Sequence, residues 1–378
     1  MFDNVFKGKN VLVTGNSGFK GSWLSLWLRK LGAKVYGISM GVPSKPSMFE
    51  ELAIESKIQS HFDNDISVNE SLENTINNKY LTTIFNETNP DFVFHLAAQS
   101  LVSKSYENPW ATINTNVMGT TNILNSIMRH KKRVVGVIIT SDKCYDNLEL
   151  DRGYHEDDLL GGKDPYSGSK GAAELIVKSF YHSFFKDHIH GSVIATARAG
   201  NVIGGGDWGK DRIVPDAIRA WSADNYISIR NPRSTRPWQH VLEPLSGYLT
   251  LAQQLLRDSS FNGQSFNFGP DESNKKTVEE LIIELGKNWG FSNSTQSYMI
   301  EPSSNFHEAS LLQLDCRKAK EKLQWQPNLT YAEMVIFTAR WYKAFYKTRD
   351  TEEMILMTTN QIDEYEKSAA KKRLSWTN

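Results

Sequence analysis

Cysteine is scarce in this chain: residues 144 and 316 are the only two among 378. Two isolated cysteines supply neither a disulfide framework nor metal-ligand spacing, so a reduced, cytoplasmic protein without a bound metal is expected. Charge of one sign is lacking as well, with 43 Lys and Arg against 43 Asp and Glu. Such a balance gives no field to gather nucleic acid or an anionic membrane, and any anionic ligand must be held by local charges. Long hydrophobic runs are missing. Stretches such as residues 134–139 are far too short to span a bilayer, and residues 1–10 are too polar for a secretion signal. No internal repeat or low-complexity tract is present. The length leaves room for one large or two ordinary domains.

What the chain does have is alternation. Residues 11–14 (VLVT) are a short apolar run ending at Gly15, read as a buried strand. Residues 21–30 carry Trp23, Leu24, Trp27 and Leu28 at helical spacing, and residues 34–39 read as the next strand. Further strands are expected at 92–97, 134–141 and 193–198, with helices at about 111–129 and 166–186. Strand alternating with helix predicts an α/β fold whose parallel sheet is covered on both faces. After Asn201 the texture changes: Gly204-Gly205-Gly206 and several prolines interrupt the alternation, and residues 245–256 again look helical.

The first strand runs into Gly15-Asn16-Ser17-Gly18-Phe19-Lys20-Gly21, directly before the first helix. Glycines there let backbone approach a pyrophosphate, and the helix N-terminus offers unpaired N–H groups and a positive dipole end. The expected architecture is therefore a Rossmann-type doubly wound sheet in residues 1–200. A return to it is expected near 238–260, with a smaller α/β substrate domain at 201–345 and a charged helical extension at 346–378. The second strand ends Gly37-Ile38-Ser39-Met40, without the acid that would bind a ribose 2′-hydroxyl and without an arginine for a 2′-phosphate. NAD and NADP are not distinguished there, and Lys45 nearby reads as loop surface.

Tyr166 and Lys170 stand four apart at the start of a helix and so share a face. An ammonium beside a phenol favours phenolate and is expected to draw Tyr166 down from about 10 toward neutrality. Thr140-Ser141-Asp142-Lys143 closes a strand, and ligands gather at the carboxyl ends of strands in open α/β sheets. Ser141, Asp142 and Lys143 should therefore face the same crevice as Tyr166. Cys144 reads as packing.

These features together resemble the extended short-chain dehydrogenase/reductase superfamily over about residues 10–342. Five stretches narrow the resemblance to its CDP-glucose 4,6-dehydratase family: GNSGFKGSW (15–23), TSDKCY (140–145), DPYSGSK (164–170), ARAGNVIGGGDW (197–208) and RPWQHVLEPLSGY (236–248). The resemblance implies NAD as cofactor and a nucleotide-linked sugar, CDP-glucose, as substrate. It implies that Tyr166 takes the 4-hydroxyl proton while hydride leaves C4. Lys170 would tune Tyr166 and hold the nicotinamide ribose, and Ser141 would bond the oxygen at C4. Water is then lost across C5–C6 and hydride returns to C6. Where related dTDP-glucose dehydratases carry Asp-Glu, this chain has Asp142-Lys143, with Lys143 expected as C5 base and Asp142 as acid.

The cofactor set expected from the match is Gly15, Ser17, Gly18, Phe19, Lys20, Gly21, His95, Ala97, Ala98, Asn116, Tyr166 and Lys170. The substrate set is Ser141, Asn201, Arg212 and Arg236, with the two arginines for the phosphates. His240 is expected in the core or behind the site. Members of the superfamily often pair through helices, so a homodimer or dimer of dimers is expected, feeding dideoxysugar synthesis for surface polysaccharides. A 4-epimerase or reductase would need only the Tyr/Lys/Ser set, and a non-catalytic dinucleotide-binding regulator would not need an intact Tyr and Lys.

Overall fold

The computed structural model describes residues 1–67, 79–187, 189–271, 275–293, 297–301 and 312–378. Seven strands form its central sheet: β1 Asn10–Thr14, β2 Lys34–Ser39, β3 Ser60–Asp63, β4 Phe92–His95, β5 Val135–Ile139, β6 Val193–Ala199 and β7 Ser265–Phe268. Their order across the sheet is β7-β6-β5-β4-β1-β2-β3, and every neighbouring pair is parallel. The order reverses at β1, and the carboxyl ends of β1, β4, β5 and β6 open on one crevice, as the rule for doubly wound sheets requires.

Residues alternate between the two faces with the period of two that a strand imposes. Val11 and Val13, Phe92 and Phe94, Val137 and Ile139, and Val193 and Ala195 enter one apolar core. Leu12, Val93, Ile138 and Ile194 enter the other. Helices α2 (Lys79–Thr88), α3 (Gly119–Arg129) and α4 (Pro165–Phe180) cover the second face through Leu81, Phe85, Ile123, Leu124, Ile127 and Val177. Helix α1 (Phe19–Lys30) covers the first through Trp23 and Trp27, joined by α5 (Leu242–Arg257), which packs on β5 and β6.

Helices α6 (Val278–Trp289), α7 (Tyr331–Thr348) and α8 (Thr351–Lys371) follow. Thr277 with Glu280 and Thr330 with Glu333 form capping boxes that start α6 and α7. The charged C-terminal segment is docked on the first helix. Trp376 stacks on Phe2 at 5.1 Å and on Tyr365 at 5.7 Å, and Trp27 meets Tyr365 edge-on. Trp27 Nε1 donates to Glu366 Oε1 at 2.8 Å, and Lys30 pairs with Glu366 and Asp363. Among the described residues, no helix is long and apolar enough to cross a membrane.

The expected helix 111–129 is interrupted. A short helix, Pro109–Ile113, passes through one wide π-helical turn at Asn114–Met118 before α3 begins. Single π turns inside helices are frequent at functional sites, and this one carries Asn116. The strands expected at 92–97 and 134–141 both end earlier, leaving Leu96–Gln99 as a loop and Ser141 as the cap of a single 3-10 turn, Asp142–Cys144.

Candidate active site

The first turn of the site is built by glycine. Gly15 has φ +73, and a Cβ there would lie 2.7 Å from Ala97 N. A Cβ on Gly21 would lie 2.1 Å from Gly15 O. The loop can therefore fold only with bare backbone at both positions. Gly18 is the N-cap of α1, and no side chain caps that helix. A dipole end with open N–H groups beside bare backbone is a seat for phosphate oxygens, and these residues fit a dinucleotide. Ser17 N donates to Ser39 Oγ at 3.0 Å and Ser39 Oγ donates to Asn16 Oδ1 at 2.7 Å, so the end of β2 is committed to shaping the loop.

His95 lies beneath the loop, 2 % exposed, and makes no open face of the crevice. Its Nδ1 is 2.7 Å from Thr14 Oγ1 and its Nε2 is 3.0 Å from Thr120 Oγ1. Burial, then Lys170, pushes it down to about 3, so the ring is neutral. Asn116 clamps the loop above it: Gln99 N donates to Asn116 Oδ1 at 2.8 Å, and Asn116 Nδ2 donates to Gln99 O at 3.0 Å and to Ser169 Oγ at 2.8 Å. The half-buried Ala97 and Ala98 lie on the segment so held.

Asp164 starts the helix that carries Tyr166. Its Oδ1 accepts from Tyr166 N and Ser167 N, both at 3.0 Å, and Pro165 occupies the first helical position. Tyr166 and Lys170 are both buried on the resulting face, Lys170 Nζ reaching Ile139 O at 3.5 Å. Ser141 side-chain hydrogen bonds link it to Tyr166 and, as donor, to Asp142 Oδ1 at 2.8 Å. Lys143 Nζ is 3.9 Å from the same Oδ1. The structure thus brings Ser141, Asp142, Lys143, Tyr166 and Lys170 together.

The expected lowering of Tyr166 is overturned. Burial pushes the phenol up to about 12, against the Ser141 hydrogen bond and the Arg212 charge. Burial lowers Lys170 itself to about 8, with Cys144 and Glu174 opposing. Desolvation dominates because the whole constellation sits inside the fold.

Two side chains join the crevice from elsewhere. Lys20, expected on the phosphate loop, turns inward: Nζ is 3.5 Å from Tyr248 Oη, and burial followed by Arg212 lowers it to about 8. Tyr248, on α5, is fully buried and senses Asp142 and Tyr166. It closes the RPWQHVLEPLSGY stretch, which gave no separate sign of it. Arg212 pairs with Asp207 at 2.9 Å, donates to Ser100 Oγ at 3.1 Å and senses Tyr166. Asn201 lies beside Gly200, where a Cβ would meet Asp142 Oδ2 at 2.8 Å, and its carbonyl accepts from Gln239 N. Arg236 lies on the strand Thr235–Pro237 and donates to Thr235 O at 2.9 Å. Phe19 points at Gly204, where an added Cβ would lie 3.2 Å from its ring. His240 is buried edge-on between Trp23 and Phe337. Cys144 is buried with Tyr145, Tyr154 and Cys316.

Known proteins resemble this chain in sequence and in fold. The sequence pattern of the GDP-mannose 4,6 dehydratase family matches residues 12–337. The chain belongs to that family. A CDP-glucose 4,6-dehydratase of Salmonella typhimurium is a relative, 44 % identical over 365 residues that cover 96 % of this chain and 97 % of that protein. A dTDP-glucose 4,6-dehydratase of Streptomyces antibioticus is 26 % identical over 266 residues, 67 % of this chain and 70 % of that one. Among solved structures, the UDP-glucose 4-epimerase of Thermotoga maritima superposes with TM-score 0.74 at 21 % identity, covering 89 % of this chain and 99 % of that one. The dTDP-glucose 4,6-dehydratase of Streptomyces venezuelae gives TM-score 0.71 at 19 % identity, covering 88 % and 97 %. At such identities the structures speak for the fold, which this member of the GDP-mannose 4,6 dehydratase family shares with epimerases and dehydratases alike.

Proposed function

We propose that this chain is an NAD-dependent hydro-lyase that converts CDP-glucose to CDP-4-dehydro-6-deoxyglucose. The observation that carries the reading is Asp142 with Lys143, an acid–base pair held against the Ser141, Tyr166 and Lys170 set. Inverting or oxidising C4 needs only the latter three groups. Removing water across C5–C6 needs one more proton acceptor and one more donor. The CDP nucleotide is supported by the 44 % identity to the Salmonella CDP-glucose dehydratase along nearly the whole of both chains.

In this reading Tyr166 accepts the proton of the sugar 4-hydroxyl, and Ser141 bonds the same oxygen. NAD, when bound, supplies the hydride acceptor for C4 and the donor to C6, and its positive ring adds to Ser141 and Arg212 in favouring phenolate. Lys170, behind Tyr166, holds the ribose side of the cofactor. Gly15, Ser17, Gly18 and Gly21 seat its pyrophosphate, Phe19 and Ala97–Ala98 flank it, and Asn116 and His95 keep those walls in place. Arg212 and Arg236 take the substrate phosphates, with Asn201 between them. Residues 1–200 with α5 form the cofactor half, and the following segments form the sugar-nucleotide half. A homodimer or dimer of dimers is supported by apolar side chains left exposed on the helices before α3 and along α4, Trp110 and Leu175 among them.

The test is incubation with catalytic NAD and, in parallel, CDP-, dTDP-, UDP- and GDP-glucose, followed by mass and stereochemistry of the products. Loss of one water from CDP-glucose alone is expected. Dehydration of another nucleotide-glucose would refute the nucleotide assignment, and an epimer of unchanged mass would refute the dehydration.

A further inference from the structure

Helix α8 lies beyond residue 337, where the family pattern ends. Apolar side chains alone could dock such a helix, yet its buried stripe carries four polar ones. Thr358, Gln361, Tyr365 and Glu366 stand at helical spacing and are at most 5 % exposed. Each hydrogen-bonds to a neighbouring helix. Trp341 Nε1 donates to Thr358 Oγ1 at 2.9 Å and Gln361 Nε2 donates to Phe337 O at 2.7 Å, both partners on α7. Tyr365 Oη lies 2.8 Å from Glu243 Oε2 and 3.0 Å from Ser246 Oγ, both on α5. Glu366 accepts from Trp27 Nε1 at 2.8 Å and pairs with Lys30, both on α1. Buried hydrogen bonds fix a register that apolar contact alone leaves loose.

Two consecutive residues of α8 thus grip the two helices that meet at the crevice. Helix α1 begins at the phosphate loop, with Gly18 as its N-cap, and α5 carries Tyr248. They face each other where Lys20 Nζ lies 3.5 Å from Tyr248 Oη. The other half of α1 is held through α7. Trp23 Nε1 donates to Gly205 O at 2.9 Å, and Gly205 lies on Trp341, where an added Cβ would be 2.0 Å from the ring. A helix of 12 residues is about 18 Å long and moves as a rod, so a tilt at Trp27 and Lys30 displaces the N–H groups at its other end.

We propose that Tyr365 and Glu366 are positioning residues for the dinucleotide: α8 clasps α1 to α5 and so sets where the N–H groups after Gly18 meet the pyrophosphate. This rests on the cofactor reading above. Both residues act through the helices they hold.

The experiment is calorimetric binding of NAD to Tyr365→Phe, Glu366→Ala and Glu364→Gln, with urea midpoints and turnover at saturating NAD measured on the same proteins. Glu364 pairs with Arg340 on the outer side of α8 and serves as the control. The NAD dissociation constant is expected to rise about 5-fold or more in Tyr365→Phe and in Glu366→Ala. Turnover at saturating NAD should stay near the wild-type value, as a loss confined to binding requires. Glu364→Gln should bind NAD as the wild type does. A helix that only stabilises the fold would lower the urea midpoint and leave the affinity of the folded protein alone. Wild-type affinity in either clasp variant therefore overturns the proposal, and so does an equal loss in Glu364→Gln. Should a clasp variant fail to fold, Glu366→Gln takes its place, keeping an acceptor for Trp27 and losing the charge that meets Lys30. Weaker NAD binding is then expected, and wild-type binding overturns. A wild-type protein that binds no NAD overturns the cofactor reading, and this one with it.

Discussion

Tyr166 illustrates how a residue's chemistry depends on what surrounds it. Its neighbour four positions on can be read from spacing, and so can the face they share. The direction of its proton affinity cannot, because burial outweighs every charge near it and carries it up to about 12. A phenol held this way gives up its proton only when opposing charges assemble, which ties its activation to a filled site. Tyr166→Phe keeps the ring and loses only the proton acceptor. Turnover of CDP-glucose should fall by about 100-fold or more, the scale of a lost general base. Calorimetric binding of NAD and of CDP-glucose should stay near the wild-type value. Wild-type-like turnover would remove Tyr166 from the mechanism. Lys20 shows the same dependence from the other side: a loop lysine in sequence, it points in space toward Tyr248.

At the level of the element, helix α4, which carries Tyr166, is held at both ends of its first two turns. Asp164 caps it, and Glu174, one turn beyond Lys170, is buried in a bidentate pair with Arg198 of β6. Glu174 also receives Thr140 Oγ1 at 2.5 Å, and Thr140 is next to Ser141. The same carboxylate therefore fixes the helix carrying Tyr166 against the strand end carrying Ser141. Replacing the cap tests the coupling. Asp164→Ala leaves Tyr166 N and Ser167 N without their acceptor and should cost about 1 kcal/mol in urea-induced unfolding. The turnover number should fall more than that loss of stability alone implies, because Tyr166 sits in the first turn. An unchanged turnover number with lowered stability would show that packing alone positions the tyrosine.

Across the whole molecule, the C-terminal helices share one core with the sheet and helices α1 and α5. Glu243 of α5 is fully enclosed at that junction and accepts from Asn328 N, Leu329 N and Tyr365 Oη. Burial raises it from 4.5 to about 7 despite those donors. A folded-state value above the unfolded one means the native protein holds the extra proton. The group's stabilising contribution is therefore full below 4.5 and lost as pH rises through about 7. Urea midpoints measured across that window should decline with rising pH, and Glu243→Gln should flatten the decline while lowering stability throughout. An equally steep decline in the variant would assign it to other groups.

The sequence by itself determined what repeats along the chain or depends on neighbours in it. The strands β1, β2, β4, β5 and β6 announce themselves through apolar runs, the phosphate loop through its glycines, and the Tyr166/Lys170 face through helical spacing. The strand end placed Ser141, Asp142 and Lys143 at the crevice, and family resemblance added their roles. Only the tertiary structure decided the rest. The edge strand β3 (SHFD) has no apolar run to mark it, and β7 is far from β6 in sequence, so both are defined as strands by their pairing with β2 and β6. The wide turn at Asn116 and the inward course of Lys20 depend on partners tens to hundreds of residues away. Burial, not spacing, decided that Lys20 and Lys170 are lowered to about 8. Local pattern fixes which face a side chain takes, but desolvation and long-range contact belong to the folded chain as a whole.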